Sequence, residues 1–373
     1  MVATGRGRGG YVQRPLIVRN TTYIQRTYIS HGVSYARVYR PRTWGHVSFN
    51  VYTPVRYYRP AFYSWAWTPW ARPVYYRWGW VGNPWYRYYG GWFTPYPYYT
   101  SPMLWLTDYL IANTLEQAYQ ERMDAGPVAA VNPAYSGGQV ALTPEVKQAV
   151  ADEVHRQLEQ ARAEQGAPGA SQMFSPNGSN IFVVSTPIQV DDGVMGCALT
   201  EGDVLQMNGA PPPDATFASV AVLASKGQDC RKGSRVQVAL NDLVEMQNQM
   251  RATLDQGLND LQSRQGQEGL PALPAGVTGF TNASFASDVR PDTDVASELN
   301  LAAQDSDRLE QDVVNQAADS AGGSVRIAQG MTIPEIEQAL GKPTSIADLG
   351  QKKIYVYKDM KITFIDGRVA DVQ

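Results

Sequence analysis

The sequence predicts an α+β protein built from several segments: an aromatic β or irregular N-terminal region, a helical middle, a small disulfide-stapled β module and a C-terminal α-β-β-β unit. Three observations predict it. Charge is split along the chain: residues 1–107 hold thirteen Arg and no Lys, Asp or Glu, whereas the remainder holds 19 basic against 35 acidic residues. Rings are split in the same way, with all nine Trp between Trp44 and Trp105 and 17 of the 22 Tyr at or before Tyr99. The apolar period also changes along the chain, from alternation to one residue in four and back to alternation. Segment boundaries follow at 1–107, 108–170, 171–240, 241–323 and 324–373.

In residues 1–107, Thr21–Ile29 is β-prone, and Val47, Phe49 and Val51 fall on one face of a strand. X-Pro pairs then recur at Arg59-Pro60, Thr68-Pro69, Arg72-Pro73, Asn83-Pro84, Thr94-Pro95 and Tyr96-Pro97. Such spacing excludes long helices and central strands, so turns and short extended pieces are expected. Leu104–Met123 reads as a helix with a broad apolar face, and a Gly/Pro-rich break follows to Gly138. A second helix begins at Thr143-Pro144-Glu145, with Thr143 as N-cap and Pro144 at the first helical position. Its stripe of Val146, Val150, Val154 and Leu158 is narrow and calls for a partner helix.

Residues 166–180 have linker composition. In the β module, Ile181–Val184 and Val220–Leu223 read as buried strands, and Val236, Val238 and Leu240 alternate. Cys197 and Cys230, the only two cysteines, fall in this stretch. A bond between them is the favoured reading and implies an oxidising compartment; two buried thiols are the alternative. Residues 241–264 form an amphipathic helix with Leu243, Met250, Leu254, Leu258 and Leu261 on one side. A Gly/Ala/Pro-rich linker and a Gln/Asp-rich helix over 296–320 come next.

The final segment carries a capping box, Thr332-Ile333-Pro334-Glu335, a helix stop at Gly341 with Pro343 behind it, a strand at Lys353–Tyr357, and a hairpin signal at Asp366-Gly367. Gly330-Met331-Thr332, Ala339–Pro343, Tyr355-Val356-Tyr357 and the hairpin through Gly367 resemble the small domain of the SmpA/OmlA (BamE-like) outer-membrane lipoproteins. The likeness covers about 50 of 373 residues and implies a periplasmic interaction domain without catalysis; the family's lipidated cysteine has no counterpart here. Tyr76–Trp80 is similar, more weakly, to the Trp/Gly/Tyr repeats of secreted bacterial proteins.

Little in the chain points to catalysis. His31, His46 and His155 have no metal-ligand partner at helical or strand spacing, and no phosphate-binding loop, nucleophile elbow or paired-cysteine motif occurs. No enzyme activity, metal or cofactor is expected. The constellation above background is Arg interleaved with rings: Arg56, Tyr57, Tyr58 and Arg59; Tyr75, Tyr76, Arg77, Trp78 and Trp80; Trp85, Tyr86, Arg87 and Tyr88. Guanidinium forks pair with phosphate, sulfate or carboxylate, and rings stack on bases or sugars. Two readings stand side by side. In one, these residues bind a polyanionic envelope polymer (glycan, lipopolysaccharide, peptidoglycan) or an envelope protein. In the other, the rings form an internal core and the arginines meet the chain's own acidic half. Nucleic acid is the alternative ligand, and self-association is compatible with the charge split. Met1–Gly10 has no signal-peptide apolar core, and the run Met103–Leu115 is too short to span a bilayer. A periplasmic or extracellular location therefore implies a leader outside this chain.

Overall fold

Extended and helical elements alternate where the sequence periods change. The computed structural model describes residues 2–3, 10–30, 32–124, 141–166, 174, 178–191, 196–226, 229–302, 304, 308, 327–349, 351–357 and 360–372. The chain divides into two units, one of residues 13–27 and 35–291, the other of residues 1–12, 28–34 and 292–373. The first takes in most of the aromatic region together with the helical segment, the β module and the helix that follows it.

Strands β1 (Val2–Ala3), β2 (Tyr11–Val18), β3 (Thr21–Ser30), β4 (Val33–Trp44) and β5 (Val47–Thr53) hydrogen-bond in sequence order. The β2–β3 connection is two residues long, and Arg19 and Asn20 both take positive φ (48° and 62°), the geometry whose twist suits a tight hairpin. Gly45 (φ 55°) turns β4 into β5, and any side chain there would run into the Pro213 carbonyl. One face of β4–β5 lies on the helix of residues 240–263: Tyr39 and Tyr52 pack on Ala252, and the Asn248 side chain accepts from Tyr52 N (2.7 Å) and donates to Asn50 O (2.8 Å).

Strand β6 (Arg56–Tyr58), helix α1 (Pro60–Trp67), a 3₁₀ turn (Gly79–Gly82) and helix α2 (Pro84–Tyr89) follow. The X-Pro pairs thus open two short helices as well as turns, because Pro presets φ and lacks an N–H that the first helical turn would leave unpaired. Helices α3 (Pro102–Asp124) and α4 (Pro144–Gly166) pack together, so α3 is the partner that the narrow α4 stripe requires. Val150, Val154 and Leu158 of α4 are buried in one core with Leu110, Ile111 and Leu115 of α3. Thr143 Oγ1 accepts from Val146 N (3.5 Å).

The β module contains β7 (Ser179–Val183), β8 (Ile188–Val190), β9 (Cys197–Leu199), β10 (Val204–Asn208), β11 (Phe217–Ala224) and β12 (Arg235–Ala239). An antiparallel sheet runs β12-β11-β10-β7, with β8–β9 as a separate ribbon. Cys197 and Cys230 are bonded, with Cα atoms 5.1 Å apart. Helix α5 (Leu240–Ser263) leaves β12 without a loop, and Leu243, Met250, Leu254, Leu258 and Leu261 are buried as their spacing predicts. The Gly/Ala/Pro-rich stretch after α5 is more than a linker. Its strand β13 (Phe280–Asn282) pairs with β6, and Leu270 and Phe285 are buried. Backbone pairing and two apolar anchors suffice to seat a segment whose composition shows no periodicity. The expected helix over 296–320 begins at residue 295, and most of its length lies outside the described residues.

In the other unit, α6 (Ile333–Leu340) starts at the expected capping box, with Glu335 Oε2 accepting from Thr332 N at 2.7 Å. Four strands follow where three are expected: β14 (Ser345–Leu349), β15 (Lys352–Val356), β16 (Lys361–Ile365) and β17 (Arg368–Val372), joined as an antiparallel meander. The added strand, β14, is at the sheet edge and leaves Ile346 half exposed, so it lacks the apolar alternation that marks the inner strands. Ile336, Tyr355, Ile362, Phe364 and Val369 form this unit's core. The class is α+β with one disulfide, as the sequence predicts.

Candidate functional site

The Arg–ring constellation is placed by backbone parity. After Pro73 the chain is extended, so Val74, Tyr76 and Trp78 point inward while Pro73, Tyr75 and Arg77 point out. Two hydrogen bonds between Val74 and Tyr99, each 2.8 Å, hold this stretch against the 96–99 segment. Inside, Trp78 stacks on Trp105 (centroids 5.0 Å, 22° between planes) and donates its Nε1–H to Tyr99 Oη at 2.6 Å. Tyr99 in turn donates to Asp108 Oδ2 (2.8 Å), which also accepts from Tyr96 N (2.6 Å). Lys147 Nζ lies 2.6 Å from Asp108 Oδ1 and 3.5 Å from the centre of the Tyr96 ring.

Of the thirteen residues singled out in the sequence, Tyr58, Tyr76, Trp78 and Trp85 are buried in one aromatic core. Tyr57, Trp80, Tyr86 and Tyr88 are half-buried, and Arg56, Arg59, Tyr75, Arg77 and Arg87 are exposed. Several exposed arginines are held locally: Arg56 donates to Asn259 Oδ1 (3.1 Å), Arg59 to Gly276 O (3.3 Å) and Arg87 to Gly82 O (3.2 Å). Others from the basic region meet the acidic half directly. Arg26 donates to Glu245 Oε1 at 2.9 Å while lying 4.3 Å over the Tyr39 ring, and Arg37 donates to Gln249 Oε1 at 2.8 Å.

A second buried polar network fixes the aromatic region to the β module. Glu201 Oε1 accepts from Tyr89 Oη (2.7 Å) and Arg122 (2.6 Å) and lies 3.2 Å from Lys226 Nζ. Burial opposes ionisation of Glu201, but Lys226 and Arg122 together outweigh it and hold the carboxyl at about 2. Asp203 is occupied in turn by Thr200 N (2.8 Å) and Lys226 N (2.9 Å). Through Glu201 Oε1 and Asp203 these acids tie α2, α3 and the β module together.

What reaches solvent is a ridge. Tyr75 is 64 % exposed and Tyr98 60 % exposed, with ring centroids 6.2 Å apart. Arg72 and Arg77 are exposed beside Tyr75, and neither has a hydrogen bond or ion pair among the described residues. Tyr75 and Arg77 are in the constellation read from sequence; Tyr98 and Arg72 were outside it. For Tyr98 the signal was parity, since it lies one position from the buried Tyr99; Arg72 precedes the extended stretch, and parity carries no signal for it. A cavity of about 370 Å³ gathers Arg56 and Tyr58 with Tyr109, Asp255, Asn259 and Asp260. Burial pushes the Asp255 carboxyl up to about 6, against the hydrogen bond from Tyr52 Oη (3.1 Å) and the charges of Arg56 and Arg37.

Among the described residues no group of three or more His, Cys, Asp or Glu could hold a metal ion, and no helix is long and apolar enough to cross a membrane. Comparison with protein-family models, with curated proteins and with solved structures gives no match.

Proposed function

We propose that this is a non-catalytic binding protein of a bacterial cell envelope or extracellular space that engages a polyanionic polymer through the Tyr75–Tyr98 ridge and its flanking Arg72 and Arg77. The observation that carries this reading is the pair of exposed rings beside two guanidinium groups with no hydrogen bond or ion pair among the described residues. Exposed tyrosines give flat faces for sugar rings, and free guanidiniums give bidentate partners for acidic groups. The disulfide supports an oxidising compartment, and the likeness of residues 324–373 to the SmpA/OmlA domain supports an envelope location.

Deleting residues 1–107 would remove β2–β6 and most of the aromatic core, so point substitutions are the informative probe. The full chain, Tyr75→Ala/Tyr98→Ala and Arg72→Gln/Arg77→Gln are compared for binding to peptidoglycan, lipopolysaccharide, heparin and single-stranded DNA across a salt series. Loss of the rings is expected to weaken glycan binding about tenfold with little change in salt slope. Loss of the arginines is expected to weaken it and to flatten the slope by about one unit per charge. Wild-type behaviour of both variants defeats the reading, and preference for DNA over every glycan favours a nucleic-acid ligand instead.

A further inference from the structure

A second basic feature lies on the outer face of the N-terminal sheet, among residues that the ridge does not use. On β4, Val38 is buried with Tyr23 and Phe285, and the same strand face continues through Arg40 and Arg42. Both arginines line a cavity of about 250 Å³. Val51 and Thr53 of β5 form its floor beside them, Arg40 being paired with Val51 across the strands. Tyr57 of β6, the segment 281–284 and the end of α4 at Glu164 and Gln165 form the walls.

Two strand residues at i and i+2 stand about 7 Å apart, so both guanidinium groups can reach a single tetrahedral oxyanion. Neither Arg40 nor Arg42 has a hydrogen bond or ion pair among the described residues. The one carboxylate in the cavity wall among them, Glu164, is turned to Arg251 at 3.4 Å. Burial, and then the charge of Arg40, lower the pKa of Arg42, and the opposing charge of Glu164 offsets them only in part. Gln165 adds a buried Oε1 with no hydrogen-bond partner among the described residues, an acceptor that a hydroxyl group would satisfy. The volume is below the roughly 300–1,000 Å³ of pockets for drug-sized ligands, which limits the occupant to about one sugar unit.

We propose that this cavity binds a phosphorylated or sulfated monosaccharide unit, its oxyanion on Arg40 and Arg42, a ring hydroxyl donating to Gln165 Oε1 and the sugar face against Tyr57. The site does not depend on the ridge.

Calorimetric titration of the full chain with glucose 6-phosphate, glucosamine 6-sulfate, inorganic phosphate, inorganic sulfate and glucose at constant ionic strength tests it. The two esters are expected to bind saturably, inorganic phosphate and sulfate about tenfold more weakly, and glucose not at all. Arg40→Gln and Arg42→Gln should each weaken ester binding tenfold or more, and Arg42→Lys, which keeps the charge without the fork, should fall between. Gln165→Leu should weaken the esters alone and leave inorganic phosphate unchanged. Tyr75→Ala/Tyr98→Ala should bind the esters like the unaltered chain, which separates failure of this site from failure of the ridge. Absence of saturable ester binding overturns the proposal, as does an Arg42→Gln protein, folded by circular dichroism, that binds like the unaltered chain. Equal affinity for ester and free oxyanion overturns the assignment to a sugar.

Discussion

The stretch from Tyr58 to Trp105 and the β module from Ser179 to Ala239 lie in the same unit but are organised by different forces. The β module is a ladder: four antiparallel strands share their backbone groups, aliphatic residues such as Leu205, Val220 and Val238 fill one core, and a disulfide closes a 33-residue separation. The aromatic stretch has two short helices, a 3₁₀ turn and one isolated bridge, so few of its backbone groups are paired in regular structure. Rings and hydroxyls take over that task. Trp78, Trp105 and Tyr109 stack in series, and Tyr89 and Tyr99 reach buried carboxylates through their hydroxyls. This core even accepts buried indole nitrogens that have no partner among the described residues, at Trp70, Trp85, Trp92 and Trp105. Each would cost about 1–3 kcal/mol if wholly desolvated, which the large apolar area of a buried Trp exceeds only when packing is close. A basic, Pro-rich segment can therefore be part of a globular core when its rings supply the order that its backbone lacks.

The largest expected effect breaks the comparison at its centre. Trp78→Ala removes a stacked ring and the donor to Tyr99, and should cost about 3–5 kcal/mol, against about 2–5 kcal/mol for Leu205→Ala in the β module. Urea unfolding measures both. A Trp78→Ala loss clearly below that of Leu205→Ala would show that the rings contribute area and little order. Next is the disulfide. Reduction, or Cys197→Ser with Cys230→Ser, should lower stability by roughly 3–4 kcal/mol for a loop of this length. Most of the near-ultraviolet dichroism of the tryptophans should survive in the reduced native state, because Trp78, Trp85, Trp92 and Trp105 are buried in the other core, although Trp44 packs on the β module. Loss of that signal on reduction without unfolding would mean that the ladder organises the rings after all.

The smallest effect concerns Asp255, which lines cavities with Tyr58 and Tyr63 at the start of the aromatic stretch. Its carboxyl is raised to about 6 by burial, so the fold favours the protonated form. The group's stabilising contribution is then complete below pH 4 and is lost as pH rises through about 6. Thermal melts should show the unaltered chain losing stability between pH 4 and 7 relative to Asp255→Asn. Parallel curves for the two proteins would rule out that linkage.

How much of this was legible in the sequence depends on range. The capping box at Thr332–Glu335, the N-cap at Thr143, the hairpin at Asp366-Gly367 and the ends of α3, α4 and α5 are set by neighbours a few residues away, and they read correctly. The segment after α5 and strand β14 were missed because their order comes from pairing with β6 and β15, and their own composition carries no period. Within the Arg–ring constellation, residue type said only that rings and guanidiniums would meet something. Adjacent residues of the same type part company, Tyr76 inside at 6 % exposure and Tyr75 outside at 64 %.

By itself, then, the sequence determined the class, the helices α3 to α6, the disulfide candidates and the separation of a basic aromatic region from an acidic remainder, because composition and short-range periodicity act through contacts within one or two turns or strands. Only the tertiary structure decided which rings are core and which form a ridge, that Arg26 and Arg37 meet α5 more than 200 residues away, and that Arg40 and Arg42 are left facing a cavity. The reason is physical. A side chain's exposure and charge partner depend on which surfaces the chain brings together over long separations, and a charge count does not record which arginines meet which acids.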